Sequence, residues 1–208
     1  MPGADPSPAE DGSSTAGPNY AERLVTLPAA RWKERLDVQR PYRQMLRRLD
    51  LGRVLDIGCG VGRNLAHLHG NAVGVDHNET SVDIARQRGH RAYTTAEFPG
   101  SGLARPDAFD ALLLSHVIEH VSHPVAADIV ARYLPYLRPG GRVVFICPQE
   151  KGWASDPTHV RFIDLRALTE LAESAGLTVQ RTRSFPFPRP VGRVFAYNEF
   201  VLVARLPS

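Results

Sequence analysis

Two clusters of side chains in this 208-residue chain have the types and spacing for chemistry. The first is rich in histidine. Ser115-His116-Val117-Ile118-Glu119-His120-Val121-Ser122-His123 and the later Asp156-Pro157-Thr158-His159 hold four of the eight histidines. If residues 115–121 form a helical turn, His116, Glu119 and His120 stand at i, i+3 and i+4 and share one face. Imidazole and carboxylate at that spacing suit a divalent cation, with His159 as a further ligand from a later loop. The same groups suit removal of a hydroxyl proton by a general base, so metal centre and base both stay open. Of the other histidines, His67, His69 and His90 read as structural or surface residues. His77, beside Asp76, alone could line a ligand.

The second cluster is rich in glycine. Val54-Leu55-Asp56-Ile57-Gly58-Cys59-Gly60-Val61-Gly62-Arg63-Asn64 reads as a buried strand, a tight turn and a helix start. Glycines permit positive φ and let backbone N–H groups approach a ligand closely. The spacing departs from the dinucleotide fingerprint. Counting from Gly58, the third glycine falls one residue early, at Gly62, and Arg63 stands where a glycine is expected. The strand-borne Asp56 is a second departure.

The elements that must position these groups show in the apolar pattern. Short β-type runs at 53–57, 72–75, 109–114 and 142–147 alternate with helix-like stretches at 63–68, 80–89 and 124–137. Continuous apolar strands alternating with helices predict a parallel sheet covered on both faces. In such sheets the ligand crevice opens at the C-terminal strand ends, where both clusters fall. A helix over 165–175, stopped by Gly176, precedes strand-like runs at 177–182 and 195–204. The proline-rich connection between them is too short for a crossover helix, which predicts an antiparallel hairpin at the sheet edge. Before the sheet, residues 28–50 have a helical pattern with a predicted break at Pro41, before Tyr42.

Composition narrows the class. With 43% hydrophobic and 23% charged residues the chain is neither wholly disordered nor fibrous, and its length suits one domain. Cys59 and Cys147 make no disulfide framework, which points to a reducing compartment. No apolar run of about 18 residues occurs, and residues 1–18 lack the basic and apolar parts of a signal peptide. A cytoplasmic protein with no membrane partner is expected. The net charge is +3, yet apart from Lys33 and Lys151 the basic residues are scattered arginines without a run. Nucleic acid is therefore not the expected partner.

The glycine loop resembles motif I, D-x-G-x-G-x-G, of the class I S-adenosylmethionine-dependent methyltransferases. Gly74-Val75-Asp76, Thr95-Ala96-Glu97-Phe98-Pro99 and Leu137-Arg138-Pro139-Gly140-Gly141-Arg142 resemble three further segments of that family, in its order. The likeness spans roughly residues 52 to 205. It implies an α/β, Rossmann-like fold: a seven-stranded, mostly parallel sheet, an antiparallel C-terminal hairpin and helices on both faces. Residues 51–208 would then be this domain, behind a disordered tail over 1–19 and a helical lid over 20–50. It also implies S-adenosyl-L-methionine as cofactor. The implied contacts are Arg43, Asp56, Gly58, Gly60, Arg63, Asn64, Asp76 (toward the ribose), His77, Ala96, Glu97 and Ser115. Thr95 stands where the family carries an Asp.

The histidine segment is similar to the E-x-x-E-H…H metal site of small-RNA 2′-O-methyltransferases and to the E-H pair of ubiquinone-pathway O-methyltransferases. This implies Mg²⁺ or Mn²⁺ on Glu119, His120, His159 and His116, the last in place of the first Glu. Transfer from a sulfonium needs no activation of the donor, whereas a hydroxyl acceptor must lose its proton. The cluster thus argues for O-methylation. Val38-Gln39-Arg40-Pro41-Tyr42-Arg43, Asp156-Pro157-Thr158-His159-Val160 and Tyr197-Asn198-Glu199-Phe200 resemble compact bacterial sugar O-methyltransferases of methylmannose-polysaccharide type. That implies a mono- or oligosaccharide acceptor, met by Tyr20, Trp32, Tyr42, Trp153, Asp156, Arg161, Arg189 and Tyr197. A metal-independent O-methyltransferase of a phenol, quinone or polyketide is the alternative. A non-catalytic S-adenosylmethionine-binding or scaffold protein is a third reading, and a homodimer is open.

Overall fold

The computed structural model describes residues 40–68 and 70–208. The proposed tail, most of the proposed lid with Tyr20 and Trp32, and His69 lie outside the described residues. Among the described residues, one helix, α1 (Arg40–Arg48), precedes the sheet. Then come β1 (Val54–Ile57), α2 (Arg63–His67), β2 (Ala72–Asp76), α3 (Glu79–Gln87), β3 (Ala92–Thr94), β4 (Phe109–Ser115) and α4 (His123–Tyr133). The chain continues through β5 (Leu137–Pro148), α5 (Glu150–Trp153), α6 (Leu165–Ser174), β6 (Thr178–Phe185) and β7 (Glu199–Arg205).

These strands form a single seven-stranded sheet in the order β3-β2-β1-β4-β5-β7-β6. The first five pair parallel, and β7 runs antiparallel to both β5 and β6. The predicted fold class and hairpin are both present. The chain leaves β1 toward β2 and β3, then returns to place β4 on the other side of β1. That reversal leaves a crevice at the C-terminal ends of β1 and β4.

Successive strand residues point to opposite faces, and both faces are apolar. Leu55, Ile57, Leu112, Leu114 and Phe145 pack on one face with Phe98, Phe109, Leu168 and Leu171. Val54, Leu113, Val144 and Ile146 pack on the other with Met45, Leu46, Leu65 and Val82. Met45 and Leu46 are thus the residues by which α1 grips the sheet.

Two expectations change, and a third is only partly covered. Pro41 lies in the first turn of α1, which needs no N–H from its second residue, and the stretch before it, where the first of two helices is expected, lies outside the described residues. β3 is a strand the sequence did not announce; three residues are too few to show a period. The Pro139-Gly140-Gly141 turn falls within β5 rather than before it. Pairing jumps from Phe109 with Leu137 to Ala111 with Arg142, so the turn is looped out as a bulge.

Candidate active site

The loop after β1 is built to let backbone approach a ligand. Gly58 has φ 72°, and a Cβ there would come 2.4 Å from Val117 Cγ2 of the loop after β4. Only glycine lets the two strand-end loops lie this close. The Gly60 N–H donates to Asp76 Oδ2 at 2.7 Å, and the Asn78 N–H donates to Asp76 Oδ1 at 2.8 Å. Asp76 is thereby fixed at the end of β2, with acceptor capacity left on both oxygens. His77, half exposed, stands 3.5 Å from Asp76. Arg63 and Ala96 are exposed. Glu97 is engaged in its own turn, where its carboxylate accepts from the Thr94 N–H at 2.8 Å and from Arg86 at 2.5 Å. These bonds, the Thr94 N–H first, hold its carboxyl below the usual range.

A chain of hydrogen bonds crosses the crevice floor from α1. Ser115 Oγ lies 2.8 Å from Tyr42 Oη, whose hydroxyl donates to Asn64 Oδ1 at 3.2 Å. Asn64 Nδ2 in turn donates to Asp56 Oδ1 at 3.3 Å. Asp56 is fully buried, and its Oδ2 has no partner. Burial pushes its carboxyl up to about 7, and nearby Asp76 adds to the rise. Four predicted residues from α1, β1, α2 and β4 therefore form one network, joined at Tyr42. Arg43, beside it, is half-buried.

The histidine cluster divides. Residues 115–121 do not form one helical turn. His116 turns the chain at φ 57°, and a 3₁₀ turn follows over Ile118–His120. Glu119, His120 and His159 converge, each offering a ligand atom within 4.8 Å of the others. His116 stands outside this trio. Its Nε2 lies 2.8 Å from Glu199 Oε1 and its Nδ1 3.3 Å from Glu119 Oε1. Burial opposes a charge on its ring, but Glu199 and Glu119 outweigh it and push the pKa up to about 10. Paired with both carboxylates, the ring is engaged between the turn after β4 and β7 rather than in the trio. Glu119 is held below the usual carboxylate range: burial works against its charge, and His116 outweighs it. Burial lowers the pKa of His120.

Backbone carbonyls fix both ligand rings. His120 Nδ1 lies 3.1 Å from Thr158 O, and His159 Nδ1 lies 2.6 Å from Trp153 O. A proton on Nδ1 satisfies each carbonyl and leaves the lone pair on Nε2. Thr158 is itself anchored by Asp156 Oδ1, which accepts from its N–H and its hydroxyl. Val160 and Arg161 donate their N–H groups to Glu119 O, at 2.9 and 3.2 Å, and so wrap this segment around the trio.

Asp156 thus acts on Thr158 rather than standing open. The Trp153 ring stacks on His159, with centroids 6.4 Å apart and an interplanar angle of 18°. Arg161 is half-buried beside it. Arg189 pairs with Glu150 and lies over the Phe200 ring at 4.7 Å, bracing the hairpin. Tyr197 is exposed and meets Phe195. The residues missed in the sequence are Glu199, Cys147 and Gln149. Cys147 Sγ donates to Glu119 Oε2 at 3.6 Å, and Gln149 Nε2 donates to Glu199 O at 2.9 Å. Only the register of β7 against β5, which pairs Glu199 with Pro148, brings Glu199 here.

This geometry agrees with comparisons to known proteins. Residues 29–182 match the family described as "Methyltransferase domain". A ubiquinone biosynthesis O-methyltransferase of Dinoroseobacter shibae is 31% identical over 154 residues, covering 60% of this chain and 59% of that protein. Its counterpart in Roseobacter denitrificans is 36% identical over 99 residues, covering 43% of this chain and 38% of that protein. The chain therefore spans only about two to three fifths of these relatives' length. Among solved structures, a SAM-dependent methyltransferase from Archaeoglobus fulgidus superposes with a TM-score of 0.64 at 18% identity, over 84% of this chain and 97% of that one. A SAM-dependent methyltransferase from Thermotoga maritima gives 0.66 at 20% identity, over 91% and 98%. At such identities the superpositions speak for the fold, and they agree with the glycine loop, the carboxylate ending β2 and the sheet order. The chain belongs to the methyltransferase-domain family, with the Rossmann-like fold of the class I S-adenosylmethionine-dependent methyltransferases.

Proposed function

We propose that the protein transfers a methyl group from S-adenosyl-L-methionine to a hydroxyl of a small phenolic acceptor, with a divalent cation held by Glu119, His120 and His159. The observation that carries this reading is the convergence of two imidazoles and a buried carboxylate after β4, within 4.8 Å. The donor set fits a metal: each ring is oriented through its Nδ1 by a backbone carbonyl, as ligating histidines are. Two nitrogens and one oxygen suit Mn²⁺ or Zn²⁺ better than Mg²⁺, which prefers oxygen. When bound, such a cation lowers the pKa of a hydroxyl on it. The protein's own part is to orient these ligands, hold the cofactor on the glycine loop and exclude water.

The sugar acceptor implied by short motifs finds no support among the named relatives, which are O-methyltransferases of ubiquinone biosynthesis. Those names favour the phenolic alternative. The aromatic walls supplied by Trp153, His159 and Phe162 suit a planar ring.

The test is methyl transfer to catechols and to monosaccharides, before and after EDTA treatment. Catechol turnover that EDTA abolishes and Mn²⁺ restores is the expected result. Turnover of sugars but not catechols removes the phenolic acceptor, and full activity in EDTA removes the metal.

A further inference from the structure

Two N–H groups beside the histidines have no partner among the described residues. Trp153 Nε1 and Arg161 Nε are both closed off from solvent, and neither makes a hydrogen bond. They sit at the end of α5 and on the segment after it that encloses the trio. Arg161 is tied there by its backbone N–H to Glu119 O, and Trp153 by its ring on His159 and its carbonyl to His159 Nδ1. The Arg161 charge also reaches Cys147, whose Sγ contacts Glu119. No carboxylate lies within ion-pair distance of Arg161 among the described residues, whereas Arg189 has Glu150 and Arg166 has Glu170.

Buried donors are satisfied in folded proteins, so two orphans on one segment at one site signal a group that arrives with a ligand. A guanidinium and an indole N–H are donors only, and the charge of the first selects an anion. The neighbouring rings of His159 and Phe162 are flat, that of Phe162 is apolar, and Phe162 lies edge-on to Trp153 at 5.8 Å. An aromatic ring carrying an anionic oxygen matches both features.

We propose that Arg161 and Trp153 select an acceptor that bears a carboxylate on its ring, apart from the hydroxyl that is methylated. This rests on the phenolic reading above and names its substrate class, an aromatic hydroxy acid. The planar guanidinium edge matches a carboxylate, and the indole N–H supplies a further donor. A neutral analogue of the same shape leaves both donors unpaired, which is the strongest form of discrimination a pocket has.

The experiment measures kcat/KM of the full chain with S-adenosylmethionine and Mn²⁺ for 3,4-dihydroxybenzoate, its methyl ester and catechol. The acid is expected to exceed the ester by at least about tenfold. Arg161→Gln should bring that ratio close to one, and Arg161→Lys should restore part of it. Trp153→Phe, which keeps a ring and loses the N–H, should lower the ratio partway. Binding of S-adenosylhomocysteine by each variant reports that it is folded. Equal values for acid and ester in the unaltered protein overturn the proposal, as does a ratio unmoved by Arg161→Gln. In both cases catechol turnover leaves the phenolic reading standing. No turnover of any of the three removes both.

Discussion

His116 Nε2 lies 2.8 Å from Glu199 Oε1 and so joins the turn after β4 to the first residue of β7, 83 positions later. The contact is charge-assisted and lies against Glu119, on the edge of the ligand trio. Two fifths of the His116 side chain is exposed, so solvent screens the pair and its coupling is modest, about 1 kcal/mol. A double-mutant cycle of His116→Gln and Glu199→Gln in urea unfolding measures it. Additive effects would show that the pair does not couple.

Tyr42 links α1 to two other elements through a single hydroxyl, and through Asn64 to a third. Burial keeps that phenol protonated far above neutral pH, so it acts as a hydrogen-bonding group and not as a base. Tyr42→Phe is expected to cost about 1 kcal/mol of stability and to weaken S-adenosylhomocysteine binding about fivefold. Calorimetric titration reads the second effect. Unchanged affinity would separate the network from the cofactor.

Asp56 sets a pH dependence whose sign can be worked out. Its carboxyl titrates at about 7 in the folded chain and near the ordinary 3.8 when unfolded. Between those values the folded state holds the extra proton, so stability falls as pH rises from about 4 to 7 and then levels off. The full effect is of the order of 4 kcal/mol. Asp56→Asn should flatten this window, and the difference between the two unfolding profiles isolates the group. Parallel profiles would mean that Asp56 is ionised in the fold.

Removing one ligand tests the trio directly. His159→Ala should weaken Mn²⁺ binding by about 100-fold or more, since even residues that merely orient ligands are worth roughly 10–100-fold. S-adenosylhomocysteine binding should be unaffected, because His159 is not in the Tyr42 network. Equal Mn²⁺ affinity in both proteins would remove the metal from the site.

The sheet was legible because its strands are buried on both faces and read as apolar runs, as Leu112, Leu113 and Leu114 illustrate. The glycine loop was legible because Gly58 answers a local backbone need. What failed to show was long-range. Glu199 reaches His116 only through the register of an antiparallel strand, and no periodicity encodes that partner. The helical face drawn for His116, Glu119 and His120 assumed a regular turn, whereas a single positive φ at His116 sends its ring to β7. Asp156 showed as a polar residue near the site, but its role in bracing Thr158 depends on a turn two residues long.

The place of β7 between β5 and β6 has a consequence for synthesis. The five parallel strands leave the ribosome first, and with them the glycine loop, Asp76, Glu119 and His120. Until residues 199–205 emerge, β5 has an open edge, and His116 lacks the carboxylate across from it. A nascent chain can therefore hold the glycine loop and Asp76 in place while His116 waits for its partner. The last strand to be made both seals an adhesive edge and supplies that carboxylate, so a chain cut short there is left with an open edge and an unpaired turn.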